Sequence, residues 1–289
     1  MNLLFLGGNR YFGKAVLTRL LKKNFNIYLV NRNTKKEIIK HQNLVHISCD
    51  RKELTKYEDI LKNVTFDHVV DNIAYNLEDV KYLFKILNNK IKHYIFTSSS
   101  ITYLGLNDKV EVKEKDWPKG RINKSMIKKY NKKDIRYALN KRKIEKFLIG
   151  NKKINSTILR FPNVVGKNDF SNKTQKLLDY PFGKINNPDI SEDDYIQFIF
   201  KEDLVKAIIK VIEIKLKKTD TFNIANEKIK IKDFYKKLYN HRKLLFKKKK
   251  FLLYRKFPLP VNSLLNCKKI EKKINIKFSS INKILNLIN

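Results

Sequence analysis

Cysteine is nearly absent: Cys49 and Cys267 are the two in 289 residues, far apart and forming no CxxC pair. That excludes a disulfide scaffold and a thiolate zinc module, and it fits a reducing compartment. The five histidines (His41, His46, His68, His93, His241) show no metal-ligand spacing, so no metal site is expected. Acids are also scarce, 28 against 64 Lys plus Arg, which leaves a formal net charge of +36. Only ten of the 64 cations are arginine. Nucleic-acid and phosphate sites lean on arginine forks, so a lysine-heavy excess is an ambiguous sign of such a partner. Lys, Asn and Ile share A/T-rich codons, and base composition accounts for most of the charge. No apolar run approaches the roughly 18 residues of a membrane span. The opening MNLLFLGG has too few apolar residues before its glycines for a signal-peptide core. The expectation is a soluble, cytoplasmic chain without a membrane partner. What is present suffices for a core: 42% hydrophobic residues with 18 Phe and 14 Tyr exclude a disordered basic tail.

The first half alternates short apolar runs with helical periodicity. Strands are expected at Leu3–Leu6, Ile27–Val30, Leu44–Ile47, around Val69-Val70, at Tyr94–Phe96 and at Ser156–Leu159. Helical stripes run over Lys14–Lys23, Glu53–Lys62, Val80–Leu87 and Tyr137–Leu148, with Asn76 and Asp79 forming a capping signature before the third. Strands separated by such helices imply parallel pairing with right-handed crossovers, an α/β doubly wound sheet. After about Asn163 the alternation weakens. Pro181, Gly183, Pro188, Pro258 and Pro260 mark loops around a strong stripe over Glu202–Glu213. We expect a nucleotide-binding domain over 1–165 and a smaller substrate lobe over 166–289, with about 195–225 returning to the sheet. The Lys247–Lys250 run reads as a solvated corner.

Leu3 to Gly13 reads strand, tight turn, helix start. Glycines at Gly7, Gly8 and Gly13 allow a sharp turn, close approach of backbone N–H groups to a pyrophosphate, and tight helix–strand packing. Asn9, Arg10 and Phe12 complete this candidate cofactor loop. NAD sites carry an acid at the end of the second strand to bind the ribose 2′-hydroxyl. Here that corner is Asn31-Arg32, followed by Lys35 and Lys36. A cation in place of a carboxylate suits a 2′-phosphate. The cofactor is therefore NAD or NADP, with a lean to NADP.

Thr97-Ser98-Ser99-Ser100 ends the fifth strand, at the edge where such sheets place their chemistry. Tyr137 and Lys141 lie four residues apart on one helix face. A fixed ammonium beside a phenol stabilises the phenolate, so the tyrosine is expected to titrate toward neutrality and exchange protons with an alcohol or carbonyl.

In this order the motifs resemble the short-chain dehydrogenase/reductase superfamily, in its extended or atypical branch, the NAD-dependent epimerase/dehydratase family. The resemblance runs almost the whole length. It includes Cys49-Asp50-Arg51, Asp71-Asn72-Ile73-Ala74-Tyr75, the segment Leu159 to Gly166, Ile196 to Leu204, Phe222 to Ala225, and the closing helices of Asn266 to Ile288. It implies a Rossmann-type fold with a smaller C-terminal substrate lobe. It also implies Tyr137 as acid/base, Lys141 as the residue that tunes it and holds the nicotinamide ribose, and Ser99 as the hydroxyl on the substrate oxygen. Asp50 would meet the adenine, Ile73 and Ala74 would pass under the cofactor, and Pro162 and Val164 would sit beside the nicotinamide.

Two departures matter. The turn reads GxxRxxG, with Arg10 where extended members carry glycine, and Ser100-Ile101 replaces the Asp-Glu pair of dehydratases. The expected activity is an NAD(P)-dependent epimerase or reductase, a nucleotide-sugar 4-epimerase or 4-ketoreductase. An RNA-binding relative and a non-catalytic cofactor-sensing protein are the alternatives. A homodimer is among the partners that the resemblance implies.

Overall fold

The computed structural model describes residues 1–34, 39–106, 111–117, 130–180, 190–214, 216, 218–242, 259–261 and 263–288. Lys35, Lys36, Pro181, Gly183, Pro188, Pro258 and the Lys247–Lys250 run lie outside them. Strand β1 (Asn2–Leu6) shows how the sequence sets the layers. Leu3 and Phe5 enter one hydrophobic core and Leu4 and Leu6 another, because successive strand residues face opposite sides. Both faces are covered, so the strand reads as an unbroken apolar run.

Beside β1 lie β2 (Asn26–Asn31), β3 (Leu44–Ser48), β4 (His68–Asp71), β5 (His93–Thr97) and β6 (Asn155–Arg160). The short strands β7 (Val164–Val165), β8 (Tyr195–Ile196) and β9 (Ile199–Phe200) precede β10 (Asp220–Asn223) and β11 (Ile229–Lys230). The main sheet has seven strands in the order β10-β6-β5-β4-β1-β2-β3, all neighbours parallel. This is a doubly wound Rossmann sheet, extended at one edge by β10. The order reverses between β1 and β4, and ligands of such sheets bind at that crevice.

Helix α1 (Tyr11–Leu21) packs one face, while α2 (Glu58–Lys62), α3 (Leu77–Leu87) and α4 (Lys132–Gly150) cover the other. The expected capping box is present: Asn76 takes the Asp79 N–H, and the Asp79 carboxylate takes the Asn76 N–H. Helix α4 starts at Lys132, one turn earlier than the apolar stripe suggests. Asn131 caps it by accepting the Asp134 N–H at 2.9 Å, a signal hidden in a lysine-rich stretch. Tyr137 thus sits inside the helix rather than opening it. The expected Glu53–Lys62 helix is split into a 3-10 turn over Arg51–Tyr57 and α2. Asp50 caps that turn and Arg51 points inward to a buried carboxylate, which fixes the tighter winding.

After α5 (Lys173–Leu178), helix α6 (Lys201–Glu213) lies against α1 and buries the Leu204, Val205, Ile208 and Ile212 stripe. Strand β10 begins at Asp220 and pairs with Thr157–Arg160. A third core gathers Phe198, Phe200 and Leu177 with residues of α7 (Ile231–Arg242) and α9 (Ile281–Ile288); α8 (Lys268–Lys273) adds Ile270 to the first core. Among the described residues no helix is long and apolar enough to cross a membrane.

Candidate active site

The turn after β1 sits at the switch point. Gly7 has φ +80°, and a Cβ there would lie 2.3 Å from Ile73 Cγ2. A Cβ on Gly8 would strike the Phe5 ring at 2.7 Å, and one on Gly13 would come within 3.2 Å of the Asn72 amide. Gly7 and Gly13 therefore let this segment and the β4 turn touch, while Gly8 lets the turn close over Phe5 of β1. Arg10 has φ −133°, an ordinary extended conformation that needs no glycine. Its guanidinium does not curl over the turn: it donates to Thr34 Oγ1 at 2.7 Å and lies 5.8 Å from the Phe170 ring centre. Phe12 packs edge-on against Phe161.

At the end of β2, Asn31 is buried. Its Oδ1 accepts the Asn33 N–H at 2.7 Å and the Asn9 amide at 3.3 Å. Its Nδ2 is buried without a partner among the described residues. Arg32 is exposed beside it. An unpaired buried donor and a cradle that any Cβ would fill both fit a polar ligand lying across this corner. Asp50 is half-buried, with Oδ1 accepting the Lys52 N–H at 3.0 Å.

Lys141 is buried between the ends of β4 and β5. Its Nζ donates to the Ala74 and Thr97 carbonyls, each at 3.0 Å. Three rings surround the ammonium: Phe96 at 4.5 Å, Tyr75 at 5.6 Å and Tyr137 at 5.7 Å. Burial pulls Lys141 down to about 8, against the attraction of the Asp71 and Glu145 carboxylates. Ser99 lies close enough to Tyr137 for its hydroxyl to favour the phenolate. Burial is the largest influence on Tyr137 and raises it to about 12, with Tyr75 adding to the rise. The expected downward shift is therefore not met in this geometry. The ammonium faces two carbonyls and the flat of the phenol ring, and Ser99 alone opposes the desolvation. Ser98 is not available for chemistry, because its hydroxyl donates to the buried Glu145 at 2.5 Å. Pro162 is buried and Val164 half-buried on the segment whose Phe161 carbonyl accepts the Ser100 N–H at 2.9 Å.

Two buried networks under the site escape sequence reasoning. Asp71, fully buried, receives both Arg51 nitrogens at 2.9 Å, the Tyr94 hydroxyl at 2.7 Å and the Ile73 N–H at 3.0 Å. Burial alone would raise its carboxyl, but Arg51 holds it below the usual range. Glu145, one turn beyond Lys141, is clamped by Arg160, whose Nη2 lies 2.8 Å from Oε2 and whose Nη1 donates to Tyr103 at 2.7 Å. Acid and base lie 15 residues apart here and 20 apart in the first network. No local pattern marks them. Among the described residues no group of three His, Cys, Asp or Glu is placed to hold a metal.

A glycine turn at the switch point of a parallel doubly wound sheet defines the dinucleotide-binding class. Residues 3–225 match the model of the NAD dependent epimerase/dehydratase family. The chain belongs to that family, and so to the enzymes of the extended short-chain dehydrogenase/reductase type. The UDP-glucose 4-epimerase of Thermotoga maritima is similar at 18% identity and a TM-score of 0.70, over 100% of this chain and 97% of that one. The UDP-Glc/GlcNAc 4-epimerase of Campylobacter jejuni shares 18% identity with a TM-score of 0.71, over 99% of this chain and 97% of that one. The dTDP-glucose 4,6-dehydratase of Bacillus anthracis, solved in complex with NAD, shares 15% with a TM-score of 0.72, over 99% and 96%. At these identities the likeness speaks for the fold. No curated protein matches the chain in sequence.

Proposed function

We propose that the protein is a nucleotide-sugar 4-epimerase or 4-ketoreductase with Ser99, Tyr137 and Lys141 as its catalytic set. The observation that carries this is the Lys141 ammonium, buried and fixed on two carbonyls, 5.7 Å from the Tyr137 ring centre with Ser99 close to that phenol. Ser99 orients the substrate oxygen. Tyr137 holds a proton at its hydroxyl at neutral pH and exchanges it with that oxygen. Lys141 has two of its three N–H groups committed, leaving the third for a ribose hydroxyl. The dinucleotide supplies hydride exchange when bound. The backbone of Gly7, Gly8, Asn9, Arg10, Phe12 and Gly13 would hold its pyrophosphate, Asp50 its adenine, and Ile73, Ala74, Pro162 and Val164 its nicotinamide end. The 4-epimerase names of similar structures support the substrate class.

The cofactor in this reading is NAD or NADP, with a lean to NADP. Asn31 stands where a ribose-binding acid would stand, and Arg32 with the Thr34-bound Arg10 flanks that corner. Residues 1–165, with about 195–225 packed back on them, serve the cofactor and the rest of 166–289 the sugar nucleotide, in a cytoplasmic enzyme that pairs as a homodimer through helices. The two buried free thiols suit that compartment. Denaturing the purified protein and identifying released ligand by mass spectrometry tests the reading, together with thermal shifts under NADPH and NADH. NADPH is expected to stabilise more strongly. A tightly retained NAD would instead assign a cofactor-recycling epimerase. Stabilisation by neither, with RNA retained at moderate salt, would overturn the enzyme reading.

A further inference from the structure

Tyr75 is a large aromatic left 56% exposed, one residue beyond the carbonyl that holds Lys141. Single exposed apolar residues are ordinary on protein surfaces. This one differs in its setting. Its ring centre lies 6.4 Å from that of Tyr137, tilted by 45°, and 5.6 Å from the Lys141 ammonium. Among the described residues it is the exposed aromatic in ring contact with Tyr137. Its backbone is pinned on both sides: the Tyr75 N–H donates to Asp79 Oδ2 at 3.0 Å, and the Ala74 carbonyl accepts Lys141. Asp79 is itself buried, and its own carbonyl accepts Arg51 at 2.8 Å. A frame this well tied holds an exposed aromatic ring beside Tyr137 and Lys141.

We infer that Tyr75 is a substrate-binding residue of this site, forming the wall against which the C–H face of the reacting hexose ring stacks. The inference rests on the nucleotide-sugar reading above. A hexose has polar hydroxyl edges and faces of clustered C–H groups. An aromatic face, electron-rich and apolar, complements the latter, while the polar edge turns to Ser99 and Tyr137. Stacking of this kind fixes the ring without committing any of its hydroxyls, so the hydroxyl at the reacting carbon stays available to Tyr137. The contact forms with bound substrate, before the keto sugar of an epimerase turns its other face to the dinucleotide, so its loss is read mainly in KM.

The test compares wild type, Tyr75→Ala and Tyr75→Phe on a panel of UDP- and dTDP-hexoses, with NADPH and NADH affinity measured separately by fluorescence. Tyr239→Ala, an exposed tyrosine on α7 outside the site, is the control. Tyr75→Ala is expected to raise KM about tenfold or more with a smaller change in kcat, and Tyr75→Phe to recover most of the loss. Dinucleotide affinity should stay within about twofold of wild type. Should the alanine variant fail to fold, Tyr75→Leu takes its place, with bulk retained and the aromatic face removed. An unchanged KM in an active enzyme, or a loss of dinucleotide affinity matching the rise in KM, would overturn the role of Tyr75 alone. A wild type that turns over no hexose nucleotide would overturn this inference together with the reading it rests on.

Discussion

Asp71 lies fully buried beneath the switch crevice, and its charge persists there because Arg51 binds both oxygens. Removing one member of such a pair leaves the other charge buried and uncompensated. Asp71→Asn is therefore expected to cost about 3–5 kcal/mol, read as a lower urea midpoint with an unchanged slope. A second buried pair sets the response to acid. The Nδ1 atoms of His68 and His93 are 3.1 Å apart, and His93 Nε2 is 2.8 Å from Thr157 Oγ1. Burial and then the neighbouring His68 lower His93 from 6.5 to about 4. The unfolded chain binds a proton near 6.5 that the folded chain refuses until about 4, so stability falls as pH drops through that window. The gap corresponds to roughly 3 kcal/mol at its fullest extent. Melting temperature should decline from pH about 6.5 to 4, and His93→Asn should flatten that decline.

At the level of the element, the β1 turn makes the sharpest demand on sequence. Gly7→Ala meets both a positive φ of 80° and the Ile73 side chain, so the turn must shift away from β4. Dinucleotide affinity is expected to fall by about tenfold or more in a fluorescence titration, since backbone N–H groups are displaced. Gly150→Ala is the matched control, because a methyl there meets nothing within 4 Å. The turn was legible because its glycines follow a buried apolar run. The parallel, doubly wound arrangement was legible because most of the strands are separated by a periodic helix. The start of α4 was not, as Asn131 and Asp134 stand among lysines that mask the cap. Arg51 and Arg160 stand in segments that resemble the family, with nothing beside them in the sequence to mark a buried acid partner. Their acids lie far along the chain, and only folding brings them together. The titration of Tyr137 was misjudged for a similar reason: spacing puts Lys141 on the same face but does not show where the ammonium points.

Across the whole molecule, a surplus of 36 positive charges attracts phosphate-bearing molecules in general, and it falls off with salt. Affinity for a nucleotide sugar at low salt therefore does not by itself identify the site. Chemistry does, because proton exchange depends on one hydroxyl rather than on the field of the surface. The most direct measurement is the turnover of nucleotide hexoses with bound or added dinucleotide by wild type and Tyr137→Phe, at moderate salt. The account predicts that Tyr137→Phe lowers kcat by about 100-fold or more while dinucleotide affinity is kept within about twofold. Equal turnover by the two proteins would contradict it.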